Sequence, residues 1–223
     1  MTIWFTSDTH FGHKNIIKFE EGRKHFNSID EHDAYLIDMW NKQVKPDDTV
    51  YHLGDLTLRG IQKKREVLGQ LNGDVILIKG NHDADRECKK LLSERLIKEY
   101  HQVGVYMKVE GLLLHLTHYP MLTGLRPKYF SIHGHLHINN VELGKNSLNL
   151  INVGVDNVKH FPNRKLGELI SLDELIAVCK PIDKLMYNLR FGESGTEIGD
   201  IYKFSDNGKV LMLNDYVHDI RND

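Results

Sequence analysis

The stretch Val75-Ile76-Leu77-Ile78-Lys79-Gly80-Asn81-His82-Asp83 decides how the chain is read. Its apolar run suits a strand buried on both faces. The glycine after it allows a sharp backbone turn with no Cβ in the way. An amide, an imidazole and a carboxylate follow at once, so the strand delivers polar side chains to the edge of a sheet. The same form recurs along the chain. Ile3-Trp4-Phe5 leads to Asp8-Thr9-His10, and Val50-Tyr51 leads to Gly54-Asp55. Leu112-Leu113-Leu114 leads to Thr117-His118, and Phe130-Ser131-Ile132 leads to Gly134-His135-Leu136-His137. Five such blocks place their polar residues where strands end and loops begin, converging at one sheet edge.

The donor types point to metal. Imidazole nitrogen and carboxylate oxygen suit ions such as Mn²⁺, Fe and Zn²⁺, whereas softer sites recruit thiolate, and none of the blocks contains cysteine. One carboxylate can bridge two cations and hold them roughly 3.5–4 Å apart. Together the blocks supply ligands for two adjacent divalent ions.

In order and spacing the blocks resemble the calcineurin-like metallophosphoesterases, in particular small bacterial or phage-type members, over about residues 1–180. The resemblance implies that Asp55 bridges the ions, that Asp8, His10 and His137 complete the first, and that Asn81, His118 and His135 complete the second. It implies Mn²⁺ as the ion, with Fe, Zn²⁺, Ni²⁺ and Co²⁺ as alternatives. His82 becomes the general acid over the phosphate, and Asp83 is expected to orient it. The implied reaction is in-line attack on phosphorus by a metal-bridging hydroxide, with no covalent enzyme intermediate. The implied fold is α+β, a four-layer α/β/β/α sandwich with the metals at one end.

Local signals fill in the elements. Strands are expected at 2–7, 49–53 and 75–79, and helices at 60–71 and 85–95. Ser28-x-x-Glu31 is a capping box opening a helix over 29–43, with Ala34, Ile37 and Trp40 as its apolar stripe. Closely spaced strands over 97–117, then near 130–133, 151–154 and 166–170, are expected to form a second sheet. A second box, Ser171-x-x-Glu174, opens a helix expected to stop at Pro181. Residues 1–182 then form the phosphoesterase domain and 183–223 a small C-terminal β extension. Its strands fall at 185–191, 198–204 and 209–213, with Ser205-Asp206-Asn207-Gly208 as a turn. A protein partner or self-association would use that extension.

Composition fits one well-cored globular unit. The 223 residues are 40% hydrophobic and 27% charged, with a formal net charge of −2. No apolar run approaches the ~18 residues of a membrane span, and the amino terminus enters a strand directly, so the expected location is cytoplasmic with no membrane contact. Cys88 and Cys179 lie far apart, which argues against a disulfide framework. Basic clusters such as Lys63-Lys64-Arg65 interleave with acidic residues and read as a solvated helix face.

Substrate choice lies in the loops. His13, Arg59 and Tyr119 are the substrate-binding candidates, and the segment Arg126-Pro127-Lys128-Tyr129 could add an aromatic face and positive charge. The leading expectation is a phosphodiesterase on nucleotide-type substrates. Alternatives are a phosphomonoesterase, a nuclease or RNA-end processing enzyme using Phe11, Tyr119, Tyr129 and Phe130 for stacking, and a non-catalytic binding scaffold.

Overall fold

The computed structural model describes residues 1–139, 147–156, 159–161 and 163–192. Two sheets face each other. The first has strand order β4-β3-β2-β1-β9, built from β1 (Ile3–Thr6), β2 (Thr49–His52), β3 (Asp74–Ile78), β4 (Glu99–His101) and β9 (Ile170–Ser171). Its first four strands are parallel, and β9 pairs antiparallel with β1. The second sheet has order β5-β6-β7-β8, from β5 (Gly104–Val109), β6 (Leu112–Thr117), β7 (Tyr129–His133) and β8 (Leu150–Asn152). The strands expected at 97–117 and 166–170 are thus divided. β4 and β9 join the first sheet at its two edges, β4 beside β3 after the short turn that follows α4, and β9 antiparallel to β1 just before α5.

Side-chain alternation across the strands sets the layers. Val50, Val75 and Leu77 point to one apolar cluster with Leu36, Trp40, Val67 and Leu91 from helices α2 (Ile29–Gln43), α3 (Ile61–Leu68) and α4 (Asp85–Ser93). Phe5, Leu53 and Ile78 point the other way, into a cluster with Leu114, Leu116, Phe130, Ile132 and Ile151 of the second sheet. The long helix α5 (Leu172–Phe191) adds Leu175, Cys179, Ile182 and Met186 to that same cluster. It contacts the Glu110 turn through Lys180 and the start of β7 through Asp183, at the end of the sandwich where β6 and β7 begin.

Ser171 and Glu174 form the complete capping box at the start of α5. At α2 only half of the box forms. Ser28 Oγ accepts the Glu31 N–H at 3.1 Å, while the Glu31 carboxylate turns back to the Asn27 N–H at 2.8 Å. The buried stripe of α2 is His32, Asp33, Leu36 and Trp40, and Ala34 is exposed.

The helix expected to stop at Pro181 does not. α5 runs through Pro181 to Phe191, so residues 185–191 are helical and the expected boundary after residue 182 falls inside a helix. Apolar contacts on both sides of the proline outweigh its lost hydrogen bond. The strands expected at 198–204 and 209–213 lie outside the described residues. Among the described residues, no helix is long and apolar enough to cross a membrane, and both cysteines are buried free thiols.

Candidate metal centre

The strand ends converge as the recurring pattern requires. Asp8 and His10 follow β1, Asp55 follows β2, Asn81 and His82 follow β3, His118 follows β6, and His135 and His137 follow β7. Beyond β1 and β8 the two sheets meet. Ser7 bridges to Gly154, and the Val155 N–H donates to the Ser7 carbonyl at 3.1 Å. The site therefore spans both sheets at one end of the sandwich.

Backbone strain marks these positions. Asp8 (φ 59°), His10 (51°), Asp55 (57°), His135 (69°) and His137 (50°) all sit in the left-handed region. Non-glycine residues hold such angles only where their surroundings over-determine them, and these angles cluster at functional sites. Glycine is required nearby for space. A Cβ on Gly80 would strike the Asp55 backbone nitrogen and carboxylate, and one on Gly134 would strike Ser7 Oγ and the Asp8 carboxylate.

Among the described residues three donor groups have ligand atoms within 4.8 Å of one another: Asp8–His10–His137 and Asp55–His118–His135, which form the two clusters of the site, and Glu20–His137–Asp156 on the far side of the His137 ring. Asp55 lies between the two clusters of the site, its Oδ2 standing 3.6 Å from His10 Nε2 and 3.5 Å from His118 Nε2. Asn81 joins the second cluster, with Oδ1 2.9 Å from His118 Nε2 and 2.9 Å from His135 Nδ1.

The hydrogen bonds behind the ligands fit cations in front of them. His118 Nδ1 donates to the Leu53 carbonyl at 2.8 Å, so in the neutral ring Nε2 carries a lone pair facing the Asn81 oxygen. Lone pair against lone pair is unfavourable unless a positive charge lies between. His137 Nδ1 donates to Asp156 at 3.0 Å, which turns its Nε2 to within 3.2 Å of His10 Nε2. Such a bond from the far ring nitrogen fixes the tautomer of a metal-binding imidazole. Asp8 Oδ1 is fully buried with no hydrogen-bond partner. That orphaned acceptor, the two clusters and the absence of thiolate fit two divalent ions with nitrogen and oxygen ligands.

Electrostatics agree. Burial pushes the Asp8 carboxyl up to about 6 and pulls His10 well below the ordinary imidazole range. Burial also pulls on His137, but the hydrogen bond to Asp156 and the charges of Asp8, Asp156 and Glu20 hold its imidazole above the usual value.

Not every expected role is met. Asp83 does not touch His82; its Oδ2 accepts the N–H groups of Asp55 at 2.7 Å and Gly80 at 3.0 Å. His82 instead stands over Asp55, with Nε2 4.0 Å from Oδ2 and its own N–H donating to Oδ1 at 2.9 Å. Tyr119 is 53% exposed and packs edge-on against the His135 ring at 4.5 Å. His13 lies beside His10, ring centres 5.7 Å apart. Arg59 donates from Nε to the Gly12 carbonyl at 3.1 Å, on the loop that follows the first ligands.

Tyr129 and Arg126 stack on each other at the start of β7, the opposite end from the ligands, so that segment does not line the site. Phe11 and Phe130 are fully buried core residues and offer no stacking surface. Lys64 is also buried, paired with Glu87 at 2.9 Å, while Lys63 reaches Asp33 and Arg65 reaches Glu94. The basic run is therefore spent on ion pairs within the chain.

Asp156 and Arg23 were not anticipated. A signal existed for Asp156, since Leu150-Ile151-Asn152-Val153-Gly154-Val155-Asp156 repeats the form of an apolar run, a glycine and a carboxylate. Arg23 sits in the polar stretch Glu20-Glu21-Gly22-Arg23-Lys24, where nothing distinguishes it from a surface residue.

A two-sheet α/β sandwich with paired nitrogen and oxygen donor clusters at the strand ends defines a metal-dependent hydrolase. The chain belongs to the calcineurin-like phosphoesterases, whose family model matches residues 1–178, and it is accordingly a hydrolase of phosphate esters. It is 33% identical to an uncharacterized protein of Methanocaldococcus jannaschii over 82% of this chain and 97% of that one. It is 28% identical to the Gene 66 protein of Mycobacterium phage D29 over 82% of this chain and 98% of that one. A crystal structure of a protein of unknown function from Aquifex aeolicus matches with a TM-score of 0.58 and 27% identity, covering 78% of this chain and 97% of that one.

Proposed function

We propose that the chain is a binuclear phosphodiesterase acting on nucleotide-type esters. In this reading Asp8, His10, Asp55 and His137 hold one ion, and Asp55, Asn81, His118 and His135 hold the other. The observation that carries it is the position of Asp55 Oδ2, nearly equidistant from His10 Nε2 (3.6 Å) and His118 Nε2 (3.5 Å). Paired divalent ions lower the pKa of water toward about 7 and neutralise charge on phosphate oxygens. Mn²⁺ is the ion of this reading, matched by the carboxylate and amide-carbonyl donors, with Fe, Zn²⁺, Ni²⁺ and Co²⁺ as alternatives that suit the imidazoles.

The remaining steps belong to the protein. Asp55 is aimed by the His82 N–H on Oδ1 and by Asp83, which holds its backbone. The His82 imidazole is partly exposed above Asp55 and donates its Nε2 proton to the departing oxygen. Two exposed aromatic rings lie near the site, Tyr119 against the ligand His135 and Phe19 against His13, which neighbours His10. Such faces suit stacking with a nucleobase. A cytoplasmic location accompanies this reading, in keeping with two unpaired thiols. Residues after α5 are assigned to partner or polymer contacts, tested by truncation after Gly192 with small and polymeric substrates compared.

The deciding experiment strips the protein with chelator, restores Mn²⁺, and compares kcat/KM for bis-p-nitrophenyl phosphate and p-nitrophenyl phosphate. A metal-restored preference for the diester supports the proposal. Preference for the monoester replaces it with a phosphatase, and no turnover of either ester removes it.

A further inference from the structure

Arg23 lies in the short 3₁₀ turn Glu21–Arg23 and is fully buried, with every guanidinium hydrogen accounted for. Arginine has five N–H donors in a fixed plane. Nε donates to Asp156 Oδ1 at 2.7 Å, and Nη2 donates to Asp156 Oδ2 and to the Asp8 carbonyl at 2.7 Å. Nη1 donates to the Thr9 carbonyl at 3.0 Å and to His32 Nε2 at 3.1 Å. One side chain thus grips the carbonyls beside two strained residues, Asp8 and His10, and also the carboxylate that orients His137.

We propose that Arg23 and Asp156 form a positioning pair that presets the first ion's ligands, an inference that rests on the ligand assignment given above. In this assignment neither residue is a ligand, since Asp156 meets the Nδ1 side of the His137 ring, away from the Nε2 that faces His10. Arg23 fixes the backbone of the Asp8–His10 loop, and Asp156 fixes the His137 ring so that its Nε2 faces His10 Nε2. The fork geometry matters because a lysine in the same place supplies a point charge and at most three donors, which cannot reach two carbonyls and both carboxylate oxygens at once. A purely structural pair would behave differently. Buried ion pairs replaced on both sides by apolar residues of similar volume are often neutral for stability, and such a replacement would then leave metal binding unchanged.

The test is Mn²⁺ titration by calorimetry of metal-stripped wild type, the Arg23→Met/Asp156→Leu double variant and Asp156→Asn, with melting temperatures of the metal-free forms. His135→Ala in the same series identifies the step that belongs to the first ion. The expected result is a first-ion affinity weakened on the order of 10- to 100-fold in the double variant, with the second-ion step unmoved. Asp156→Asn keeps the side-chain volume and a weaker acceptor for His137, and it carries the test if the double variant does not fold; about tenfold weakening is expected there. Two ions on the wild type with unchanged affinity in the variants overturns the positioning role alone. Equal weakening of both steps also overturns it. Fewer than two ions on the wild type overturns the two-ion assignment beneath it.

Discussion

Asp83 is tied to Asp55 across the β2 and β3 loops, its Oδ2 accepting the Asp55 N–H at 2.7 Å and the Gly80 N–H at 3.0 Å. Both donors are backbone groups beside candidate ligands, and the carboxylate is buried. Its work is to fix where Asp55 stands. Asp83→Ala leaves two buried N–H groups without partners, which costs about 2–6 kcal/mol. Chemical denaturation should register that loss, and Mn²⁺ affinity should fall with it. Asp83→Asn retains an acceptor oxygen and is expected to keep the wild-type pH–rate profile. A shift of the basic limb in that variant would instead link Asp83 to the protonation of His82.

His82→Ala removes a side chain that makes no short hydrogen bond to the donor clusters. We expect two ions still bound and kcat reduced on the order of 10²- to 10⁴-fold, the usual worth of a general acid. Metal content by elemental analysis and steady-state kinetics on the same sample check both halves.

Two glycines are fixed by contact. Gly80→Ala drives a methyl group against the backbone of Asp55, and Gly134→Ala drives one against Ser7 and Asp8. Overpacking of this kind costs about 1–3 kcal/mol. Backbone yields less readily than side chains, so Gly80→Ala should lower the melting temperature of the metal-free protein more than Gly134→Ala does, and both should lose metal. Gly22→Ala meets nothing within 4 Å and is expected to behave as wild type.

Asp48 supplies a pH signature remote from the site. Its carboxylate accepts the N–H groups of Lys45 and Thr2 and the Trp4 indole, and these bonds hold its pKa down to about 2 from 3.8. A depressed carboxyl contributes stability that is present above its unfolded pKa and lost as pH falls through the folded one. Asp48→Asn should therefore lower the denaturation midpoint at pH 7, with the gap to wild type closing between pH about 4 and 2. A constant gap over that range would mean that the carboxylate charge contributes nothing.

Much of the candidate site was legible because its donor residues follow a local rule, an apolar strand ending in a turn and then a donor. The pattern survives reading in one dimension, and Asp8, His10, Asp55, Asn81, His118, His135 and His137 do converge. The role of Asp83 was not legible, because sequence adjacency to His82 says nothing about which way a carboxylate turns after a strained bend. The partition of strands between sheets was also hidden. β4 and β9 are short, and their membership depends on where the chain returns, not on alternation within three or two residues. Pro181 misled for a related reason. A proline removes one hydrogen bond, but Ile182 and Met186 beyond it are held in the core, and tertiary contact wins over local propensity.

The donor clusters draw on both sheets, and that bears on how the molecule comes apart. Asp8, His10, Asp55 and Asn81 arrive from one sheet, and His118, His135 and His137 arrive from the other. A partly folded chain with either sheet formed alone holds no complete set. Each ion would then act as a rivet through the sandwich, adding its binding energy to global unfolding and none to local fraying. Chelation should accordingly reduce cooperativity, letting the two halves of the chain loosen at separate denaturant concentrations where the metal-loaded protein unfolds in one step.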